Sequence, residues 1–362
     1  MSTRTPCAGA PLDLAGIRGA VETCLADYLD GKARTAADHR MPSEVVDALR
    51  AFILGGGKRL RPLLCVCGWH AAGGTGGTAA VVKVAASLEV FHAFALIHDD
   101  IMDRSATRRG HPTVHKAFTR HLRPRRSRAL AERLGTGAAI LIGDLALAWS
   151  DEILHTADLP AGHLATLWPV VDAMRTEVMY GQYLDLLATG DPTGAVEVPL
   201  KVIRYKTAKY TVERPLHIGA TLAGAGSHVL DALSAYALPL GEAFQLRDDL
   251  LGVFGTPKTT GKPVLDDLRE GKHTVLIALA LQHADPAQRE TLHLLVGNSA
   301  LDEDGAARIR DILTATSART QVENMIRTRC TQARHALLRA ALPAPATRAL
   351  RQIADIATAR TS

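Results

Sequence analysis

The sequence predicts an all-α protein. Three observations carry this. The segment Thr78–Arg109 contains no Gly or Pro, and Val84, Leu88, Phe91 and Ala95 recur in it at intervals of three or four, the helical period. No segment shows a convincing strand alternation. Aromatic residues make up only 4% of the chain, which disfavours an aromatic-rich all-β sandwich and a base-stacking nucleic-acid reader.

The remaining elements follow from punctuation. Gly73-Gly74-Thr75-Gly76-Gly77 reads as the loop before the long helix. Pro62 suits the first turn of an earlier helix. Further helices are expected over 163–189, 199–209, 229–251, 274–283 and 318–341, with Pro160, Pro192, Pro257 and Pro343 near the junctions. Pro169 and Pro215 are expected to kink or displace a helix. Residues 1–40 read as an N-terminal helical extension and 41–362 as one all-α domain, which 362 residues can fill. The Arg-rich stretch from Arg120 to Arg133 reads as a solvated loop, with an electrostatic funnel for an anion as its rival.

Composition excludes several classes. With 47% hydrophobic and 22% charged residues the chain is neither disordered nor collagen-like. The most span-like apolar stretch, Gly137–Ser150, is interrupted by Asp144, so no integral membrane contact is expected. No apolar signal-peptide core follows the N-terminus. Cys7, Cys24, Cys65, Cys67 and Cys330 make an odd set without zinc spacing, for which a reducing cytoplasm is the simplest compartment. A net charge of +5 fits an anionic substrate and is too small to imply nucleic acid.

Two acidic clusters carry the chemistry. Asp99 and Asp103, with Asp100 beside them, lie four residues apart and project from one helix face. Their repulsion costs helix stability unless a cation neutralises it, and hard oxygen donors suit magnesium shared with substrate phosphate. Asp248-Asp249, preceded by Gln245, forms a second cluster far along the chain. On two facing helices the clusters would hold several magnesium ions around one diphosphate. Taken singly, each also reads as a solvated acidic helix end.

Basic groups flank these clusters. In Gly55-Gly56-Gly57-Lys58-Arg59-Leu60-Arg61-Pro62, glycines and cations precede a helix, a good anion site and otherwise a flexible basic loop. It is not a nucleotide phosphate loop, because Phe52 and Arg59 stand where Gly and Ser/Thr are required. Gly261-Lys262 fails the same test, with Thr256 and Pro263. Arg108-Arg109 offers fork-shaped recognition of two phosphate groups, or pairing with the nearby aspartates.

Six motifs in order, GGGKRLRP, FALIHDDIMDRSATRRGHPTVH, GQYLDL, YKTAKYTVERPL, FQLRDDLLGVFG and TGKPVLDDLREGKHT, resemble those of the trans-prenyl diphosphate synthases of the polyprenyl synthetase family. They span roughly residues 45–290. The resemblance implies an isoprenoid synthase-type antiparallel helical bundle around a central cavity, usually a homodimer. It implies head-to-tail condensation of isopentenyl diphosphate with an allylic diphosphate, with three magnesium ions. Asp99, Asp100 and Asp103 match the first metal motif, and Asp248 and Asp249 the second. Lys58, Arg61, His92 and Arg109 match the isopentenyl diphosphate site. Arg108, Lys206, Lys262 and Lys272 match the allylic diphosphate site, and Thr207 and Gln245 lie near the reacting carbons. One departure is plain: Gly252 stands where the second motif usually carries its third aspartate.

Product length is legible in part. Phe94 and Phe91 lie about 7.5 and 12 Å below Asp99 along the helix, with small Ala95 above them. An aromatic five residues before the first aspartate resembles the pattern of geranylgeranyl diphosphate synthases, although both rings also read as ordinary core. The rival functions are a farnesyl or longer-chain synthase, a class I terpene cyclase, a non-catalytic subunit of a heteromeric synthase, and a metal phosphohydrolase built on His98-Asp99.

Overall fold

A computed structural model of the protein describes residues 10–255 and 265–358. Helices α1 (Leu14–Asp38), α2 (Ser43–Leu54), α3 (Leu60–Ala71) and α4 (Ala79–Met102) come first. A two-stranded ribbon follows, β1 (Thr107–Arg108) with β2 (His111–Pro112). Then come α5 (Val114–Leu122), α6 (Arg128–His155), α7 (Ala161–Ala188) and α8 (Glu197–Val202). A π-helical segment (Ile203–Glu213) runs on without a break into α9 (Arg214–Leu222), before α10 (Ser227–Phe254). The remainder is α11 (Asp266–Glu270), α12 (Val275–His283), α13 (Pro286–Leu295), α14 (Glu303–Ala315), α15 (Ala318–Arg339) and α16 (Ala344–Thr358).

The long helix expected to reach Arg109 ends at Met102. The Asp103 N–H still bonds the Asp99 carbonyl, and the chain then turns through left-handed Arg104 into the ribbon. Arg109 (φ 52°) and Gly110 (φ 77°) both sit in the left-handed region, which a tight two-residue hairpin turn requires. Strands of two residues carry no alternation, which is why sequence pattern misses them. Helix α3 begins at Leu60, placing Pro62 where the backbone N–H has no intrahelical partner. Pro169 lies inside the continuous α7, and Pro215 sits at the second residue of α9, where the π register gives way to α.

Among the described residues, the helix long and apolar enough to cross a membrane is α4, not Gly137–Ser150. Two thirds of its most apolar window is buried in protein, with α1, α2, α3, α6 and α9 packed around it. It is the central helix of the largest core cluster. Val21, Leu25 and Leu29 of α1 are fully buried in that same cluster. A second cluster joins α10 to α12–α15, and a third joins α3, α9, α10, α15 and α16.

Glycine sets three close crossings. A Cβ at Gly219 of α9 would lie 1.7 Å from the Cys65 carbonyl oxygen of α3, and one at Gly68 would lie 2.1 Å from the Leu216 carbonyl oxygen. Gly181 of α7 meets the Lys206 backbone nitrogen, and Gly241 of α10 meets Ala208 Cα, at 2.5 and 2.4 Å from their built Cβ positions. The π segment is therefore clamped between two glycine notches.

Replacing Gly219 by Ala drives a methyl group into backbone. The expected loss is about 1–3 kcal/mol of unfolding free energy, read as a lower denaturant midpoint at unchanged slope.

Candidate active site

Helix α4 delivers Asp99 and Asp103 at its C-terminal end, and the ribbon folds Arg108 back onto it. Arg108 Nη2 lies 3.0 Å from Asp99 Oδ2, and its Nε donates to Asp100 Oδ1 at 2.8 Å. Lys206, in the clamped π segment, bridges Asp99 Oδ1 at 3.1 Å and Asp185 Oδ2 of α7 at 2.6 Å. Lys272, just beyond α11, reaches Asp103 Oδ2 at 3.2 Å, Glu270 Oε2 at 3.1 Å and Asp267 Oδ1 at 3.7 Å.

The neighbouring residue on the π segment starts a second branch. Thr207 donates to Gln245 Oε1 of α10 at 2.8 Å, and Gln245 Nε2 donates to Asp249 Oδ1 at 2.8 Å. One backbone segment thus joins the two acidic clusters. Asp248 sits beside Asp249 on the same turn of α10.

The electrostatics follow from burial. Desolvation would raise Asp99, but Lys206, Lys272 and Arg108 outweigh it and hold the carboxyl well below its ordinary range. Burial raises Asp103, with Asp99 adding to the effect. Burial pushes Asp249 up to about 7, with Asp267 and Asp248 contributing. Lys206 stays firmly protonated because Asp99 and Asp185 overcome its own desolvation.

A separate cationic group lies on the side of α3 and α4. Arg61 donates to Thr211 Oγ1 at 2.7 Å and stacks over the Tyr210 ring at 4.3 Å. Tyr210 Oη lies 3.2 Å from His92 Nδ1. Arg109 Nη1 donates to the Gly56 carbonyl, and its guanidinium lies against Gly57, whose positive φ of 149° favours glycine. Lys58 follows that glycine turn and is exposed, and its carbonyl accepts from Arg18 of α1 at 3.4 Å. Arg59, in the left-handed region at φ 51°, points the other way, into a buried ion pair with Glu89 at 2.7 Å. That pair anchors the loop to α4. Burial, then Arg61 and Arg109, push His92 well below its ordinary range, so its ring is neutral at pH 7.

Most of the predicted residues therefore fall into two adjoining groups. Lys262 lies outside the described residues. Sequence reasoning passed over Asp185 and Glu270, although both stand inside quoted motifs, GQYLDL and LREGKHT. It also passed over Tyr210 and Thr211, which stand inside the motif YKTAKYTVERPL. His98 leans on α6, its Nε2 3.4 Å from Asp144 and its ring over Gly143, and takes no part in the acidic cluster. Phe91 is buried against Phe94 and Tyr210, while Phe94 and Ala95 remain half-buried.

The sequence matches the family model of polyprenyl synthetase over residues 42–313. The chain belongs to the polyprenyl synthetase family. Relatives of this synthase differ in the product their names give. It is 36% identical to the geranylfarnesyl diphosphate synthase of Aeropyrum pernix, over 82% of this chain and 88% of that one. It is 32% identical to the (2E,6E)-farnesyl diphosphate synthase of Mycobacterium tuberculosis, over 79% of this chain and 75% of that one. A crystal structure of geranylgeranyl pyrophosphate synthase from Corynebacterium glutamicum, complexed with isoprenyl diphosphate and magnesium, superposes with a TM-score of 0.92 and 41% identity, covering 97% of this chain and all of that one.

The donor set of the synthase fits magnesium. The acidic side chains offer only hard oxygen donors, and among the described residues no three of them converge tightly enough to hold an ion unaided. Part of their negative charge is instead offset by Arg108, Lys206 and Lys272. A magnesium–diphosphate group matches both halves of that pattern, giving anionic oxygens to the cations and metal to the carboxylates.

His92 makes a testable contribution to stability. It resists protonation when folded and binds a proton freely below pH 6.5 when unfolded. Its share is therefore present above pH 6.5 and lost as pH falls below it. His92→Gln should flatten the decline in melting temperature between pH 6.5 and 5.

Proposed function

We propose that this trans-prenyl diphosphate synthase condenses isopentenyl diphosphate with allylic diphosphates to give the twenty-carbon geranylgeranyl diphosphate. The observation that carries the reaction is the pairing of two distinct anion sites. Acidic clusters interleaved with Arg108, Lys206 and Lys272 suit an allylic diphosphate with magnesium, three ions in all. The separate group of Lys58, Arg61, His92 and Arg109 suits a second diphosphate without metal. A terpene cyclase has no need of that second group, and a silent subunit has no need of the Asp99, Asp103 and Asp248-Asp249 carboxylates, with Gly252 alone pointing toward it.

The chain's residues act by position and charge. Lys206 and Arg108, already protonated beside Asp99, receive charge as the allylic diphosphate departs. Bound magnesium supplies Lewis-acid stabilisation of that leaving group. Thr207 Oγ1 and Gln245 Oε1, fixed by their mutual hydrogen bond, present oxygen lone pairs to the positive carbon. Arg61 and Arg109 hold isopentenyl diphosphate so that its double bond meets that carbon, turning a two-substrate encounter into a nearly intramolecular one. His92 is neutral and donates a hydrogen bond rather than charge. Among the described residues no side chain is placed as a strong base at the reacting carbon, and the released diphosphate takes the final proton.

Product length is set below Asp99. Phe94 is the half-buried face of the floor, Ala95 leaves room above it, and Phe91 stiffens it from behind. The synthase works as a homodimer. Leu141 of α6 is 69% exposed and Tyr180 of α7 65% exposed, and Leu134 of α6 and Tyr183 and Leu187 of α7 are exposed as well, apolar side chains that a second copy would cover. Its free thiols Cys65 and Cys67, fully buried, suit a cytoplasmic setting.

Purified protein with magnesium, isopentenyl diphosphate and each of dimethylallyl, geranyl and farnesyl diphosphate should yield a twenty-carbon diphosphate by mass spectrometry. Cyclic hydrocarbon in its place would establish the cyclase reading. Asp99→Ala or Asp248→Ala should lower turnover by about 10²–10³-fold or more with the fold intact by circular dichroism. Phe94→Ala should shift the products beyond twenty carbons; an unchanged profile at normal turnover would assign Phe94 to the core alone.

A further inference from the structure

Gly252 lies one helical turn beyond Asp248 on α10, about 6 Å along the axis. A Cβ built at this glycine would lie 2.1 Å from Asp267 Oδ2 and 3.2 Å from Asp267 Cγ. The space a side chain at 252 would enter is thus filled by a carboxylate from another segment. Asp267 belongs to the first turn of α11. Its carbonyl accepts the Lys272 N–H at 3.3 Å, closing the turn through left-handed Gly271 (φ 73°). Its second oxygen, Oδ1, faces Lys272 Nζ at 3.7 Å. That one ammonium is shared among Asp103, Asp267 and Glu270. One positive charge against three carboxylates leaves an excess of about two negative charges, which a divalent cation would neutralise.

We propose that Asp267 is the third carboxylate of the second acidic cluster, standing in for the aspartate that Gly252 replaces, and that it positions the metal held with Asp248 and Asp249. The proposal rests on reading that cluster as the holder of a magnesium–diphosphate group. Gly252 and Asp267 are a matched pair: the glycine makes the notch and the carboxylate occupies it. Because Lys272 also reaches Asp103, the same residue ties the second cluster to the first.

The test titrates magnesium in the presence of inorganic diphosphate and follows the melting temperature of the full chain. The wild-type protein should be stabilised with a defined magnesium midpoint. Asp267→Gly should raise that midpoint by about 10–100-fold, with the metal-free melting temperature showing that the fold persists. Asp267→Asn keeps the shape, removes the charge and should give the same shift if the glycine variant fails to fold. The exchange variant Gly252→Asp/Asp267→Gly returns a carboxylate to the notch and should recover most of the midpoint. A wild-type midpoint in both Asp267→Gly and Asp267→Asn overturns the proposal. So does an exchange variant that melts normally without metal yet keeps the raised midpoint. No magnesium-dependent stabilisation of the wild-type protein would instead remove the underlying metal reading, and the proposal with it.

Discussion

The site depends on one tight passage of backbone. The π segment runs between α7 and α10 at distances that exclude even a methyl group on the facing sides, because Gly181 and Gly241 provide the room. The π register is wider than the α-helical one and rotates successive side chains differently. Within it, Lys206 turns to Asp99 and Asp185, and Thr207 turns to Gln245. Arg214, where α9 begins, is held by two hydrogen bonds to Glu177 of α7, at 2.7 Å each, which fixes the far end of the passage. Widening either notch would separate two side chains that are adjacent in sequence but serve different clusters.

Charge compensation is the second organising fact. The carboxylates of the site would repel one another strongly in a buried setting. The fold answers with shared cations, each touching more than one acid. Arg108 spans Asp99 and Asp100, Lys206 spans Asp99 and Asp185, and Lys272 spans Asp103, Asp267 and Glu270. Such an arrangement is ready to exchange partners with a dianionic group and its metals at little net electrostatic cost. The second cationic group, on the side of α3 and α4, is built differently. Its cations lean on an aromatic ring, a hydroxyl and a backbone carbonyl, and burial, reinforced by the guanidiniums, keeps His92 neutral.

Local pattern and global packing were unequally legible. The helical period from Val84 to Ala95 and the four-residue spacing of Asp99 and Asp103 are properties of one helix, so sequence shows them directly. The end of that helix at Met102 is set by the return of the ribbon, and its left-handed Arg109 gives no signal in composition. Arg59 and Arg61 look equivalent in the basic run, yet one is buried against Glu89 and the other faces the site. That division follows from left-handed backbone at Arg59 and from the position of α4, neither of which spacing records. Asp185 and Glu270 stood in recognisable motifs without a role, because a carboxylate that orients a lysine looks like any other until its partner is placed.

The sequence by itself determined that the chain is helical, that it carries two acidic clusters and two sets of cations, and that these belong to the polyprenyl synthetase pattern. Those are matters of residue type and interval along one chain, which short-range geometry converts into helix faces. Only the tertiary structure decided which cation serves which carboxylate, that Asp267 fills the space beside Gly252, and that Phe94 rather than Phe91 keeps an open side. Those outcomes depend on distances between segments far apart in sequence, and such distances are set by how closely the helices can approach.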